Sequence, residues 1–576
     1  MAEADLIDRS TDLSQPLDRL GPDERLKYHS DYLRGTIDRS LLDRISGGVV
    51  FEDNKLMKFH GIYQQDDRDI RDERRRQKLE PAFTFMVRVR LPGGVCTPEQ
   101  WLKVDALARA HGGDTIRLTT RQTFQFHWVV KEDIKPTIQG LHEVLLDTIA
   151  ACGDDARGVM CSADPRDSKL HAEVAALAKS LSDHVIPRAN AYHEIWYGKE
   201  RVATSENEEP FYGPTYLPRK FKIGFVVPPS NDIDVYTQDL GFIAVEGPDG
   251  LEGFNVAIGG GMGRTDGDSE TYARLADVIG FIPRNRLVAV TDAVMAVQRD
   301  YGNRVERKRA RFKYTIDDKG LDFVTAEIER RMGERLEPAR PFEFESNVDA
   351  FGWRDDGEGG FHYTLYVESG RVANRPGQAM MDAIRDIARV HQGRFRLTPN
   401  QNLIVAGVTA ETRPEIEAIL ARHGLAAAGE ASAFRRASLA CVALPTCPLA
   451  MAEAERYLPD FVARIEALLD RHGLADESIT MRISGCPNGC SRPYVAEIAL
   501  TGRAPGKYNL WLGGGFHGER LNRLHRENIG EAEILSVLAD AIGRYAAGRQ
   551  AGERFGDFLM RTGFLEDSVR ATAPAA

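Results

Sequence analysis

At 576 residues the chain is too long for one core and divides into several lobes. Its 42% hydrophobic and 28% charged residues are the balance of a soluble globular protein, and a formal net charge of −11 argues against a dedicated nucleic-acid binder. No apolar run is long enough to cross a bilayer and the acidic opening MAEADLIDRSTDL has no signal core, so the expected compartment is cytoplasmic and the seven cysteines are free thiols or ligands.

Residues 1–80 read as a polar, helix-forming N-terminal arm, in which DDRDIRDERRR (66–76) is a solvated helix laced with ion pairs. Residues 81–150 form a first half-unit. In MVRVRLPGG, Arg88 and Arg90 alternate with valines and share one face of a strand. Residues 151–350 form a larger α/β region. ACGDDARGVMC places Arg157 in a loop, and YLPRKFKIGFVVPP places Lys220 and Lys222 on one strand face, with Phe221 and Ile223 on the other. IGGGMGRTDGD fails the dinucleotide fingerprint, because Arg264 and Asp266 stand where the third glycine is required. NRVERKRARFK (303–313) reads as a basic helix. Residues 351–428 form a second half-unit: RLTPNQNLIVA (396–406) echoes RLTTRQTFQFH (117–127) in Arg, Leu, Thr and Gln, with Asn400 where the first copy has Arg121.

Residues 429–576 hold four of the seven cysteines, Cys441-x5-Cys447 and Cys486-x3-Cys490. Between the pairs, YLPDFVARIEALLDRHG has the apolar spacing of a helix, so two cysteine loops converge from its two ends. Four thiolates suit an iron–sulfur cluster or tetrahedral zinc, with buried structural thiols as the third reading; the x5 and x3 spacings and the adjacent prolines fit zinc poorly. Cys96, Cys152 and Cys161 read as small buried hydrophobes.

TCPLAMAEAERYLPDF and MRISGCPNGCSRPYVAEI, joined by FHGIYQQDDRDIRDER, LPGGVCTPEQW, RLTTRQTFQFH, YLPRKFKIGF and FGDFLMRTGF, resemble the siroheme-containing sulfite and nitrite reductases over nearly the whole chain. The resemblance implies an α+β fold in three domains, with pseudo-two-fold duplicated ferredoxin-like half-units of mixed sheet and helices around a central cofactor. The 151–350 region then binds siroheme and 429–576 carries the cluster. By the same resemblance Cys441, Cys447, Cys486 and Cys490 hold a [4Fe-4S] cluster, and Cys490 also ligates siroheme iron. Arg88, Arg157, Lys220 and Lys222 surround sulfite, while Arg121, Gln125, Gln401 and Asn488 contact siroheme. Arg90 is a structural or siroheme-carboxylate contact, and the basic 303–313 helix faces siroheme carboxylates or solvent. The implied activity is assimilatory six-electron reduction of sulfite to sulfide, with electrons from a flavoprotein alpha component binding FAD, FMN and NADPH. Ferredoxin is the alternative donor, which SRPY (491–494) and WLGGGFHGERLN resemble more closely, and nitrite is the alternative substrate. Outside the family stand a zinc or nucleic-acid-binding module and an electron-transfer protein with a cluster only.

Overall fold

The computed structural model describes residues 17–566 apart from 164–167, 189–193, 198–199, 205–208, 358 and 426–430. Ten strands that build two sheets in the first half of the chain recur in the second. The first set is β1 (Ile62–Asp66), β2 (Phe83–Arg88), β3 (Val95–Cys96), β4 (Ile116–Leu118) and β5 (Phe124–Val129), then β6 (Met160–Cys161), β7 (Ile223–Val226), β8 (Leu240–Gly247), β9 (Gly250–Ile258) and β10 (Asp277–Pro283). The second is β11 (Gly352–Asp355), β12 (Phe361–Leu365), β13 (Arg371–Val372), β14 (Arg394–Leu397) and β15 (Leu403–Val408), then β16 (Ser438–Ala440), β17 (Met481–Ser484), β18 (Ile498–Ala504), β19 (Lys507–Leu512) and β20 (Arg523–Ile529).

The two ferredoxin-like sheets run β1-β2-β5-β4-β13 and β11-β12-β15-β14-β3. Each has lent its short third strand to the other: Val95–Cys96 pairs with Phe395–Arg396, and Arg371–Val372 pairs with Ile116–Arg117. The remaining sheets, β10-β9-β8-β7-β6 and β20-β19-β18-β17-β16, share one topology. In each, two parallel pairs are followed by two antiparallel ones. The sheet that leads into the four clustered cysteines is therefore the pseudo-repeat of the 151–350 sheet, an equivalence wider than the echo in the half-units.

Helices repeat too: α1 (Pro98–His111), α2 (Ser168–His184) and α3 (Leu287–Tyr301) recur as α4 (Met380–Val390), α5 (Leu458–Arg471) and α6 (Glu531–Gly548). α1 starts where Thr97 and Gln100 form a reciprocal capping box ahead of Pro98. It buries Trp101, whose ring meets Phe124 edge-on at 5.5 Å and Phe395 of β14 at 5.2 Å. One hydrophobic core thus serves both half-units. α5 carries the expected stripe, with Phe461, Val462, Ile465, Leu468 and Leu469 all buried; burial of each such side chain contributes about 1.5–3 kcal/mol.

Three expectations change. The arm does not extend to residue 80, because β1 pairs antiparallel with β2 and is the edge of the first half-unit's sheet; within the arm, Arg71–Arg76 is a helix with no buried residue. Residues 303–313 are not one helix: they hold a 3-10 turn, Arg307–Arg309, and the first two residues of the helix Phe312–Lys319. Lys308 and Arg309 pair with the surface carboxylates Asp268 and Asp318, and the other cations go to separate partners. Arg304 binds Glu24, Arg307 binds Asp154, Arg311 binds Asp239, and Lys313 donates to the carbonyls of Gly261 and Gly263. Lys220 and Lys222 precede β7 rather than lying within it. No helix among the described residues is long and apolar enough to cross a membrane.

Candidate active site

The two cysteine loops follow adjacent parallel strands. Cys441 comes directly after β16, and its N–H donates to Ile483 O of β17 at 3.0 Å. Cys486 and Cys490 follow β17. Gly485 lets the loops close, since a Cβ there would stand 2.5 Å from Ala443 Cβ and 2.6 Å from Ala452 O. Its N–H points at Cys441 Sγ (3.2 Å), and Asn488 Nδ2 lies 3.5 Å from Cys486 Sγ. The glycine loop after β9 packs on the same segment: Arg264 N–H donates to Pro487 O, and a Cβ on Gly263 would meet Asn488 O at 3.2 Å. From outside, Arg68 donates to the carbonyls of Cys447 (3.1 Å) and Ala450 (3.2 Å).

All four thiols open into one cavity of about 450 Å³ between the halves of the chain. Burial, then the neighbouring thiols Cys490, Cys486 and Cys447, pushes the Cys441 thiol up. Burial and Cys490 likewise push Cys486 up to about 12 and Cys447 up to about 11. Four mutually opposed thiolates need a multivalent cation to hold them deprotonated together. Among the described residues no three His, Cys, Asp or Glu side chains are gathered tightly enough for a single ion. Tetrahedral zinc needs its sulfurs about 3.8 Å apart, whereas a cubane takes each cysteine at a different iron corner.

The same lining is cationic. Nine lysines and arginines line the cavity against two aspartates, Asp23 and Asp154, and both aspartates already pair with Arg307. Arg88 ends β2; its Nη1 donates to Cys152 Sγ (2.8 Å), and with the Gln125 amide turned so that its oxygen faces the guanidinium, its Nε donates to that oxygen (2.9 Å). Arg157 is carried by a segment that bridges to the lysine stretch, with Arg157 N–H to Phe221 O at 3.0 Å and Phe221 N–H to Asp155 O at 2.9 Å. Its buried Nε has no partner. Lys220 lines the cavity, and among the described residues it forms no ion pair with a carboxylate. Burial first, then Arg311, Lys222, Arg157 and Arg219, holds Lys220 well below the ordinary lysine range. Lys222 is depressed by burial and Arg121 and is not among the residues that line the cavity; its backbone N–H donates to Asp239 Oδ2 at 3.0 Å.

Among the expected cofactor contacts, Gln125, Gln401 and Asn488 line the cavity. Arg121 does not: its guanidinium donates to Gly158 O (2.7 Å) and Gln238 Oε1 (3.2 Å). Gln401 is buried with its Oε1 unpartnered, whereas its pseudo-equivalent Gln122 is satisfied by Cys161 and Leu397. Arg90 is structural, donating to the carbonyls of Ala150, Ala156 and Ser182. Cys152 is not merely a buried hydrophobe, since it accepts from Arg88.

Sequence reading missed Tyr63, Gln65, Arg117 and His127, which also line the cavity. Their signal was period-two alternation: Tyr63 and Gln65, Met86 and Arg88, Gln125 and His127, Arg117 and Thr119 put alternate side chains of four neighbouring strands on one face. The first copy of the cysteine loops was invisible as well. At the positions equivalent to Cys441 and Cys490 stand Ser162 and Asp232, joined by a 2.8 Å hydrogen bond.

Four thiols and nine cations around one cavity define a class: a metal–thiolate protein whose ligand or substrate is anionic. Comparison with known proteins narrows it. Residues 177–336 match the nitrite and sulphite reductase 4Fe-4S domain, and residues 76–144 and 354–423 match the nitrite/sulfite reductase ferredoxin-like half domain. The chain is 65% identical over 561 residues, 97% of each chain, to the sulfite reductase [NADPH] hemoprotein beta-component of Nitrosomonas europaea. It is 56% identical to that of Myxococcus xanthus, covering 96% of this chain and 98% of the relative. The solved structure of the Mycobacterium tuberculosis NirA protein has the same fold, with a TM-score of 0.75 and 24% identity over 95% of this chain and 97% of that one. The chain belongs to the nitrite and sulphite reductase family.

Proposed function

We propose that the chain is the haemoprotein component of an assimilatory sulfite reductase, taking electrons from a separate NADPH-fed flavoprotein. The observation that carries this is the opening of four thiols and the Arg88, Arg157 and Lys220 cations into one cavity. The relatives' shared name, hemoprotein beta-component of an NADPH enzyme, supports sulfite as substrate and a flavoprotein partner. The free thiols fit a reducing, cytoplasmic setting.

The residues present fit the two prosthetic groups. Cys441, Cys447, Cys486 and Cys490 would hold a [4Fe-4S] cluster, with Cys490, the exposed member of the set, shared with siroheme iron. The unpartnered Gln401 Oε1 and Arg157 Nε, and an excess of cations over carboxylates, suit a polycarboxylate macrocycle and an oxyanion. When bound, these groups supply the electrons for SO3 2− + 6 e− + 7 H+ → HS− + 3 H2O. The protein's own part is to bind the anion, orient it and deliver protons. Arg88, oriented by Gln125 and Cys152, and Arg157 offer N–H groups to sulfite oxygens, and their fixed charge favours the negative charge that grows on each departing oxygen. Lys220, with its lowered proton affinity, gives a proton at Nζ more readily than an ordinary lysine.

Anaerobically purified protein is expected to show siroheme absorption, iron and acid-labile sulfide in cubane proportion, and sulfide production from sulfite with reduced methyl viologen. NADPH is expected to support turnover only with the flavoprotein present. Zinc in place of iron, or kcat/KM for nitrite more than about tenfold above that for sulfite, would defeat the proposal.

A further inference from the structure

We propose that Arg492 is a positioning residue that sets where Cys490 presents its sulfur, by clamping the cysteine loop on the pseudo-two-fold axis between the two halves of the chain. This rests on the reading of Cys490 as a cluster ligand.

Arg492 lies two residues beyond Cys490, is 4% exposed, and has φ +55, a left-handed conformation costly for a side chain of this size. Its guanidinium reaches both copies of one loop. Nη1 donates to Thr120 O at 3.0 Å and Nη2 to Pro399 O at 3.1 Å, and these carbonyls occupy matching positions in RLTTRQT and RLTPNQN. Nε donates to Asp234 Oδ2 at 2.5 Å. Asp234 is the pseudo-equivalent of Arg492 itself: φ is +49, and each residue caps a three-residue 3-10 turn ahead of β8 or β18. Two equivalent positions thus meet as an ion pair, and one of them grips equivalent carbonyls of both half-units. Arg482 closes the set, donating to Asp234 Oδ2 (2.6 Å) and to Arg492 O (3.1 Å).

The clamp reaches the cysteine directly, because Thr120 Oγ1 donates to Cys490 O at 3.0 Å. Cys490 is therefore tied to the first half-unit through its own carbonyl and to both half-units through the residue two beyond it. A planar fork can serve two carbonyls and a carboxylate at once, whereas an ammonium on a flexible stem cannot hold that geometry. A fully buried ion pair adds little net stability, so stability alone is a weak reason for this one.

The test is Arg492→Lys in holoenzyme purified anaerobically, with metal analysis, thermal unfolding, the EPR spectrum of the reduced protein and sulfite kinetics with reduced methyl viologen. Iron and acid-labile sulfide are expected to stay at the wild-type level. The EPR spectrum is expected to change, and kcat per siroheme to fall about 10- to 100-fold with KM for sulfite within about twofold. A lower melting temperature with kcat per siroheme and spectrum unchanged would mean a structural role only and overturns the proposal. If Arg492→Lys does not fold, Thr120→Val decides: it removes the hydroxyl on Cys490 O and leaves the guanidinium in place. A fall in kcat of about threefold or more supports the clamp, and unchanged kcat and spectrum overturn it. Wild-type protein without iron would sink the functional reading, a result separate from any difference between variant and iron-bearing wild type.

Discussion

In the proposed reaction, Lys220 is the side chain whose environment bears most directly on proton delivery. Crowded by burial and by Arg311, Lys222, Arg157 and Arg219, it loses its proton at a pH below the 10.5 of an ordinary lysine. It is cationic below its depressed pKa and neutral above it, so kcat/KM for sulfite is expected to fall as pH rises through that value. Lys220→Arg keeps the charge at every working pH; its alkaline limb should move up and flatten, while kcat drops because guanidinium does not release a proton. Lys220→Met should lower kcat/KM about 100-fold or more. A pH–rate profile of Lys220→Arg that overlays wild type would exclude Lys220 as the titrating group. Lys220 and Arg157 stood out in the sequence as cations beside apolar stretches, and both line the cavity, whereas Lys222 does not. The role of Cys152 was not: a thiol beneath a guanidinium depends on the fold bringing residues 88 and 152 together, and nothing local marks it.

Among elements, the exchanged strands β3 and β13 matter most. Each is two residues long and completes the sheet of the opposite half-unit. Strands so short have no period to read, and their partners lie hundreds of residues away, so sequence disclosed two half-units but not their interlock. A fragment spanning residues 352–425 lacks β3 and exposes the β14 edge and the core face that Trp101 covers. Expressed alone, it is expected to show no cooperative thermal transition by circular dichroism; a sharp transition would mean the exchange is dispensable. The 303–313 segment misled for a related reason. Four of its six cations face carboxylates and carbonyls supplied by four other segments, while Lys308 and Arg309 stay at the surface, and composition alone cannot separate the two kinds.

Across the whole molecule, two copies of a half-unit and two copies of a five-stranded α/β sheet meet around one cavity. The half-unit repeat was legible because RLTTRQT and RLTPNQN kept their polar turns. The sheet repeat was not, because the copies share topology and the left-handed residues Asp234 and Arg492 with only scattered identities such as Pro229 and Pro487 or Tyr236 and Tyr494. Those residues join with Arg482 where the halves meet, so the chain should unfold as one unit. Asp234→Ala, which leaves two arginines buried without their carboxylate, is expected to cost about 3–5 kcal/mol. Loss of less than about 1 kcal/mol in denaturant titrations of matched holoproteins would show that the halves do not depend on this contact.

The hydrogen bond between Ser162 and Asp232 has a consequence of its own. It fills, with oxygen atoms, the ledge that Cys441 and Cys490 occupy in the other copy, so the polypeptide carries a metal-free twin of its own redox loop. Amide exchange in the two loops of one sample, before and after iron is removed, would separate the rigidity that comes from the backbone from the rigidity that the inorganic core confers, with no second protein needed for reference.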